Sequence, residues 1–287
     1  MATAIAESPI QVLTPKPFSP KPFLKWAGGK GKLIQQYCSY FPKAYKTYYE
    51  PFLGGGAVFF HLQPCQSMLM DINPELVNVY CCVRDQVEKL IKLLEAHQKK
   101  HCQDYYYQIR SAQFREPLKR AARLIYLNKT CFNGLYRENS KGEFNVPMGS
   151  YKKPAICQQD YLRAAAIALQ STEIHLQPFE NILNLADSHQ DFVYLDPPYH
   201  PISNTSNFTG YNRYAFGHED QTRLRDTFQT LADRGVQVML SNSDCEFTRQ
   251  LYQGFPIHTI VSTRAINSKA ERRGKISEIL VTSYPVG

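Results

Sequence analysis

The chain has 287 residues, with 33 Lys and Arg against 25 Asp and Glu, a net charge of +8 and a pI near 9.0. That length allows one large or two modest domains with a real core, and the charge favours a polyanionic partner. The eight cysteines form no CxxC pair or Cys/His cluster, so no metal is expected; no export signal or membrane-length apolar run is found, and a cytoplasmic protein with free thiols is the expectation.

Residues 1–22 hold five prolines and no hydrophobic periodicity, which reads as a flexible leader. Order is expected from Phe23-Leu24-Lys25-Trp26-Ala27-Gly28-Gly29-Lys30-Gly31-Lys32-Leu33. Its glycines allow close backbone approach to a ligand and its lysines bring positive charge, but no GxxxxGK[ST] is present, so a phosphate-loop NTPase is not the reading. Trp26 suits a base or an adenosyl ring. Next, Tyr48-Tyr49-Glu50-Pro51-Phe52-Leu53-Gly54-Gly55-Gly56 runs from a strand into a glycine turn and then an apolar helix, a crossing where backbone meets a nucleotide-like ligand. A second strand, 67–70, ends in Asp71, placed to take ribose hydroxyls. A tight structural turn with Asp71 capping the next helix would produce the same pattern.

From Pro74 to about Lys129 apolar residues recur at helical spacing, with a second helical run from Pro117. Then come Asn133-Gly134-Leu135-Tyr136-Arg137 and the polar turn Asn139-Ser140-Lys141-Gly142, which predict a β-hairpin. Asn133 and Arg137 suit base edges, Lys152 and Lys153 suit phosphates, and Leu135 suits a wedge between bases; an ordinary surface hairpin is the bland alternative. Beyond Pro154, strands are predicted at 173–176, 191–195, 236–242, 257–261 and 277–282, and helices at 182–185 and 219–234 with Gly235 as C-cap. A long loop from 200 to 218 and a basic segment from Arg264 to Lys275, containing Arg272 and Arg273, complete the pattern.

The strand 191–195 stops at Asp196-Pro197-Pro198-Tyr199, because neither proline has an N–H to donate and each fixes φ. A carboxylate, a carbonyl and an aromatic ring are thereby presented at the carboxyl end of a sheet. That set matches the needs of an exocyclic nucleobase amine, whose lone pair is delocalised into the ring. Asp196 and the Pro197 carbonyl would accept its hydrogens and free the lone pair, while Tyr199 stacks on the base for about 1–3 kcal/mol. A Pro-Pro turn with a capping Asp is the structural alternative.

With these motifs in this order, the chain resembles the Dam-type (alpha class, D12) DNA N6-adenine methyltransferases over nearly everything after residue 22. The strings that carry the likeness are FLKWAGGK, EPFLGGGAVFF, LMDIN, FNGLYR, GEFNVP, DPPY with its NFT loop, SNSD and RRGKISEIL. The resemblance implies an α/β, Rossmann-like S-adenosylmethionine-dependent methyltransferase fold, made by 23–73 and 155–287. It also implies an inserted target-recognition domain, helical plus β-hairpin, at 74–154. Trp26, Lys30, Glu50, Phe52, Gly54, Gly56, Asp71 and Asp196 would hold the S-adenosylmethionine. Asp196, Pro197, Pro198 and Tyr199 would hold a flipped adenine, and Lys25, Asn133, Leu135, Arg137, Lys152, Lys153, Arg272 and Arg273 would meet double-stranded DNA.

GATC-reading members usually carry Arg in a Gly-Arg-Tyr-Lys string after Asn-Val-Pro, whereas here the string is Gly149-Ser150-Tyr151-Lys152. Serine is too short for the bidentate guanine contact. GATC stays the expected target, with the reading of one guanine open. Transfer to cytosine N4, a silent DNA-binding module, and methylation of RNA or a protein glutamine are the alternatives. A monomer is expected; the sequence leaves open whether a restriction partner exists.

Overall fold

The computed structural model describes residues 18–202, 216–263 and 275–286. Its centre is a sheet of seven strands: β1 (Thr47–Glu50), β2 (Ser67–Asp71), β3 (Thr172–Leu176), β4 (Asp191–Leu195), β5 (Gln237–Ser243), β6 (Ile257–Thr263) and β7 (Lys275–Thr282). They lie in the order β3-β2-β1-β4-β5-β7-β6, parallel except for β7, which runs antiparallel to both neighbours. Every residue of β4 is buried, as a central parallel strand requires. Phe192 and Tyr194 pack on one face and Val193 and Leu195 on the other, the two-residue period of a pleated strand.

The helices are α1 (Ile34–Tyr37), α2 (Ala57–Leu62), α3 (Pro74–Lys100), α4 (Gln103–Ser111), α5 (Pro117–Thr130), α6 (Gln159–Leu169), α7 (His218–Asp233) and α8 (Glu246–Leu251). One apolar cluster joins the first face of the sheet continuously to α2, α3, α5 and α6; a second fills the other face beneath α7. The helix α3 starts where Asn73 Oδ1 accepts the backbone N–H of Glu75 (3.0 Å) and Leu76 (3.2 Å), with Pro74 at the first helical position. The cap is therefore Asn73, not Asp71. Gly235, at φ +80°, closes α7 as its sequence suggests.

Three expectations change in detail. The helical stretch read as two runs is three helices, broken at His101–Cys102 and between Ala112 and Glu116. The hairpin consists of two isolated antiparallel bridges, Cys131 with Met148 and Glu138 with Phe144, with a 3-10 turn at Phe132–Gly134 between them. The sharp reversal lies at Asn139, whose Oδ1 accepts from the N–H of Lys141 (3.0 Å) and Glu143 (2.9 Å). The helix expected at 182–185 is a 3-10 segment, Phe179–Asn184. Of the leader, 1–17 lies outside the described residues; Phe18 and Lys21 pack on the Tyr161 ring of α6. Among the described residues no helix is long and apolar enough to cross a membrane.

Candidate active site

From β1 the sheet grows through β2 and β3 in one direction and through β4 and β5 in the other. The crevice at the carboxyl ends of β1 and β4 is thus the topological switch point, where open α/β sheets bind ligands. Glu50 ends β1, Asp71 ends β2, Ser243 ends β5, and Asp196 immediately follows β4.

Asp196 is held from two sides. Its Oδ1 lies 2.7 Å from Lys30 Nζ and accepts the Ser241 hydroxyl at 2.8 Å, and Ser241 Oγ is itself 3.1 Å from the Tyr194 hydroxyl. Lys30 is 3% exposed; its ammonium also donates to Gly28 O (3.0 Å) and sits 4.4 Å from the centre of the Tyr199 ring. The proline turn is braced from β5 and α7. Gln221 Nε2 donates to Pro198 O (3.0 Å), Asn242 Nδ2 donates to Gln221 Oε1 (2.9 Å), and Ser243 Oγ donates to His200 O (2.7 Å). Among the described residues nothing donates to Asp196 Oδ2 or to the Pro197 carbonyl. Two fixed acceptors therefore stand beside an aromatic ring.

The ring is anchored in turn. The Tyr199 hydroxyl donates to Glu278 Oε2 at 2.9 Å, and the Tyr37 hydroxyl donates to Glu278 Oε1. Burial pushes the Tyr199 hydroxyl well above its ordinary pKa, aided by the negative charge of Asp196 and the neighbourhood of Tyr37 and Glu278; burial and then Glu278 and Asp196 do the same to Tyr37. Both stay hydroxyl donors.

Two further carboxylates line the crevice. Glu50, 2% exposed, accepts the Tyr48 hydroxyl at 2.8 Å; burial pushes it up to about 8, against the opposing pull of that bond. Asp71 is half-buried and accepts the N–H of Gly54 (3.2 Å) and Asn73 (2.9 Å); burial raises it to about 6. The glycine turn is built for close approach. Gly54 and Gly56 have φ of +48° and +64°, and a Cβ at Gly56 would meet the Tyr80 hydroxyl at 2.8 Å, one at Gly54 the Trp26 indole at 3.0 Å. Trp26 stacks on Tyr136 with ring centres 5.3 Å apart, and Phe52 stacks on Phe179 at 5.2 Å. Two acidic side chains at strand ends, a tight glycine turn packed on Trp26 and Tyr80, and aromatic faces fit an adenosyl amino acid.

The residues expected at DNA gather on the other side of Trp26. Asn128 pairs reciprocally with the Lys25 backbone, accepting its N–H (2.8 Å) and donating to its carbonyl (2.7 Å), and also donates to Gly134 O (3.1 Å). Lys25 Nζ donates to the Tyr151 hydroxyl at 3.2 Å. Asn133 is exposed with φ +54°, Leu135 is half-buried, and exposed Arg137 donates through Nε to Asn145 Oδ1 at 2.7 Å. Ser150, Lys152 and Lys153 are exposed, while Arg272 and Arg273 lie outside the described residues. Nearby Lys129 is pushed down to about 8 by burial and then by the charges of Lys25 and Lys21.

Sequence reasoning missed Ser241, Gln221, Tyr37 and Glu278. A signal existed for two of them: the polar Ser241-Asn242-Ser243 ending an apolar strand, and a lone Glu278 inside another.

The family profile for the D12 class N6 adenine-specific DNA methyltransferases matches residues 26–266. The chain is 43% identical to a type II methyltransferase, M1.LlaDCHI, of Lactococcus lactis subsp. cremoris, over 92% of this chain and 95% of that one. It is 40% identical to the type II methyltransferase M.MjaIII of Methanocaldococcus jannaschii, over 92% and 99%. It is 35% identical to the DNA adenine methylase of Escherichia coli strain K12, over 92% and 95%.

Proposed function

The chain belongs to the D12 class of N6 adenine-specific DNA methyltransferases, and we propose that it transfers a methyl group from S-adenosylmethionine to N6 of an adenine swung out of duplex DNA, within GATC. The observation that carries this reading is the pair of acceptors at the switch point, Asp196 Oδ2 and Pro197 O, beside the anchored ring of Tyr199. The adenine specificity of the family does not favour the cytosine N4 alternative.

S-adenosylmethionine, when bound, supplies an electrophilic methyl group on a sulfonium. Glu50, Asp71 and the Gly54–Gly56 turn, with Trp26 above, would bind its amino and ribose groups. Asp196 and the Pro197 carbonyl would each accept one amine hydrogen, drawing nitrogen toward a tetrahedral form with its lone pair aimed in line. Tyr199 would hold the base, which has to leave the stack because N6 is otherwise out of reach for chemistry. No strong base is required, since the methylated ammonium is itself acidic. Positioning and preplaced acceptors then supply the rate.

Residues 74–154 would form the DNA-facing part, with Lys25, Asn133, Leu135 and Arg137 at the bases and Lys152 and Lys153 at phosphates. The exposure of Lys25, Asn133, Arg137, Lys152 and Lys153, with a half-buried Lys129 crowded by the charges of Lys25 and Lys21, supports that assignment. The direct experiment is single-molecule sequencing of DNA from a methylation-free strain expressing the chain. N6-methyladenine confined to GATC is expected; modified cytosine, or adenine methylated without regard to GATC, would overturn it.

A further inference from the structure

Three segments distant in the chain meet at Tyr199. Its hydroxyl donates to one oxygen of Glu278, on β7, and Tyr37, at the end of α1, donates to the other. Glu278 is 7% exposed and Tyr37 fully buried, so the carboxylate has both oxygens committed to phenols. The Lys30 ammonium covers the ring of Tyr199. A single buried hydroxyl is satisfied by any backbone carbonyl, whereas a buried carboxylate carries a desolvation cost that pure structure does not demand.

We propose that Glu278, oriented by Tyr37, is a positioning residue for methyl transfer: it fixes the plane of the Tyr199 ring against which the target base stacks. The inference rests on the reading that Tyr199 meets the base. The phenolic O–H lies in the ring plane, so its bond to Glu278 and the Lys30 ammonium on the ring face together restrain the ring's orientation, and N6 is delivered to the acceptors on Asp196 and Pro197. A misplacement of about 1 Å at such a step costs on the order of 10²-fold in rate. A phenol donating to a carboxylate also carries a more electron-rich ring, which favours the positive charge developing on the amine nitrogen.

The test compares wild type, Glu278→Gln, Tyr37→Phe, Tyr199→Phe and the Glu278→Gln/Tyr199→Phe double variant in methylation assays. A duplex with 2-aminopurine at the target position reports stacking of the flipped base. Glu278→Gln is expected to lower kcat about tenfold with KM for DNA and cofactor nearly unchanged, and Tyr37→Phe to act in the same sense but less. Adding Glu278→Gln to Tyr199→Phe is expected to cost little more, because the two act as a unit. The 2-aminopurine emission shifts alike in the Glu278 and Tyr199 variants. Unchanged kcat in Glu278→Gln, or losses that multiply in the double variant, would overturn the proposal. Should Glu278→Gln fail to fold, Tyr37→Phe alone and combined with Tyr199→Phe decides by the same criterion. Full activity in Tyr199→Ala would instead remove the underlying reading of Tyr199, a separate result.

Discussion

The ammonium of Lys30 lies 2.7 Å from a carboxylate oxygen of Asp196, with the lysine almost wholly sealed from solvent. Removing one partner of such a pair leaves a buried charge unmatched and costs about 3–5 kcal/mol, whereas removing both costs far less. The pair therefore ties the stability of the glycine-rich segment to the residue expected to do the chemistry.

Asp196→Ala should lower turnover by about 10²-fold or more, since it removes an acceptor placed for the transition state. It should also lower stability by about 3 kcal/mol through the stranded Lys30. Lys30→Met combined with Asp196→Ala is expected to recover part of that stability and none of the activity. Urea denaturation beside a methylation assay measures both; turnover near wild type in Asp196→Ala would remove the assignment.

Glu50 gives a pH dependence with a definite sign. Its pKa is about 8 in the fold against an ordinary 4.5, so between those values the folded chain binds the proton more tightly than the unfolded one. Its contribution to stability is complete below about 4.5 and lost as pH rises through about 8; Asp71 adds a smaller effect of the same sign between 3.8 and about 6. Thermal unfolding of the ligand-free protein should show a higher Tm at pH 6 than at pH 8.5. Glu50→Gln should flatten that slope, and an equally steep profile in the variant would contradict the assignment.

Lys152 and Lys153 are exposed beside the irregular hairpin. If each contacts a phosphate, the slope of log affinity against log salt should shallow by about 0.9 for each lysine replaced by Ala. Preference among sequences should not change. Fluorescence anisotropy over a salt series reads the slope, and a slope untouched by both substitutions places the phosphates elsewhere.

Ser150 follows Gly149, whose Cβ position is blocked by the Tyr151 ring at 2.6 Å and by Cys131 O at 2.8 Å, so the backbone there is pinned while position 150 faces outward. Ser150→Arg should sharpen discrimination at one guanine–cytosine pair, by roughly one to two decades in kcat/KM between GATC and the variant at that pair. The measurement is kcat/KM on GATC and its single-base variants, for both enzymes. Equal selectivity in the two would show that another residue already makes the contact.

The sheet was readable because its strands are short apolar runs ended by sharp signals, Pro-Pro close after β4 and an acidic residue as the last of β2. The helix α6 was not: Ala164, Ala165 and Ala166 bury little surface each, so its apolar face gave a weak period until α3 covered it. The crevice was legible in those members that sit next to punctuating residues, such as Asp196 after its strand and Gly54 and Gly56 in their turn. Its supports were not. Glu278 reaches Tyr37 and Tyr199 only because β7 is inserted antiparallel beside β5, and no local pattern announces a partner that distant.

The reciprocal bonds between Asn128 and the Lys25 backbone, the Lys25 side chain packed where Gly134 lacks a Cβ, and the Trp26–Tyr136 stack make the hairpin a continuation of the first glycine loop. Such a hairpin is not a cassette. A chimera that transplants 131–150 from a relative inherits its side chains but docks them on a foreign seat, and a larger residue at 134 would collide with Lys25. Exchange of this segment between family members has to carry positions 25, 26 and 128 with it, so these positions should change together when sequence preference is re-engineered.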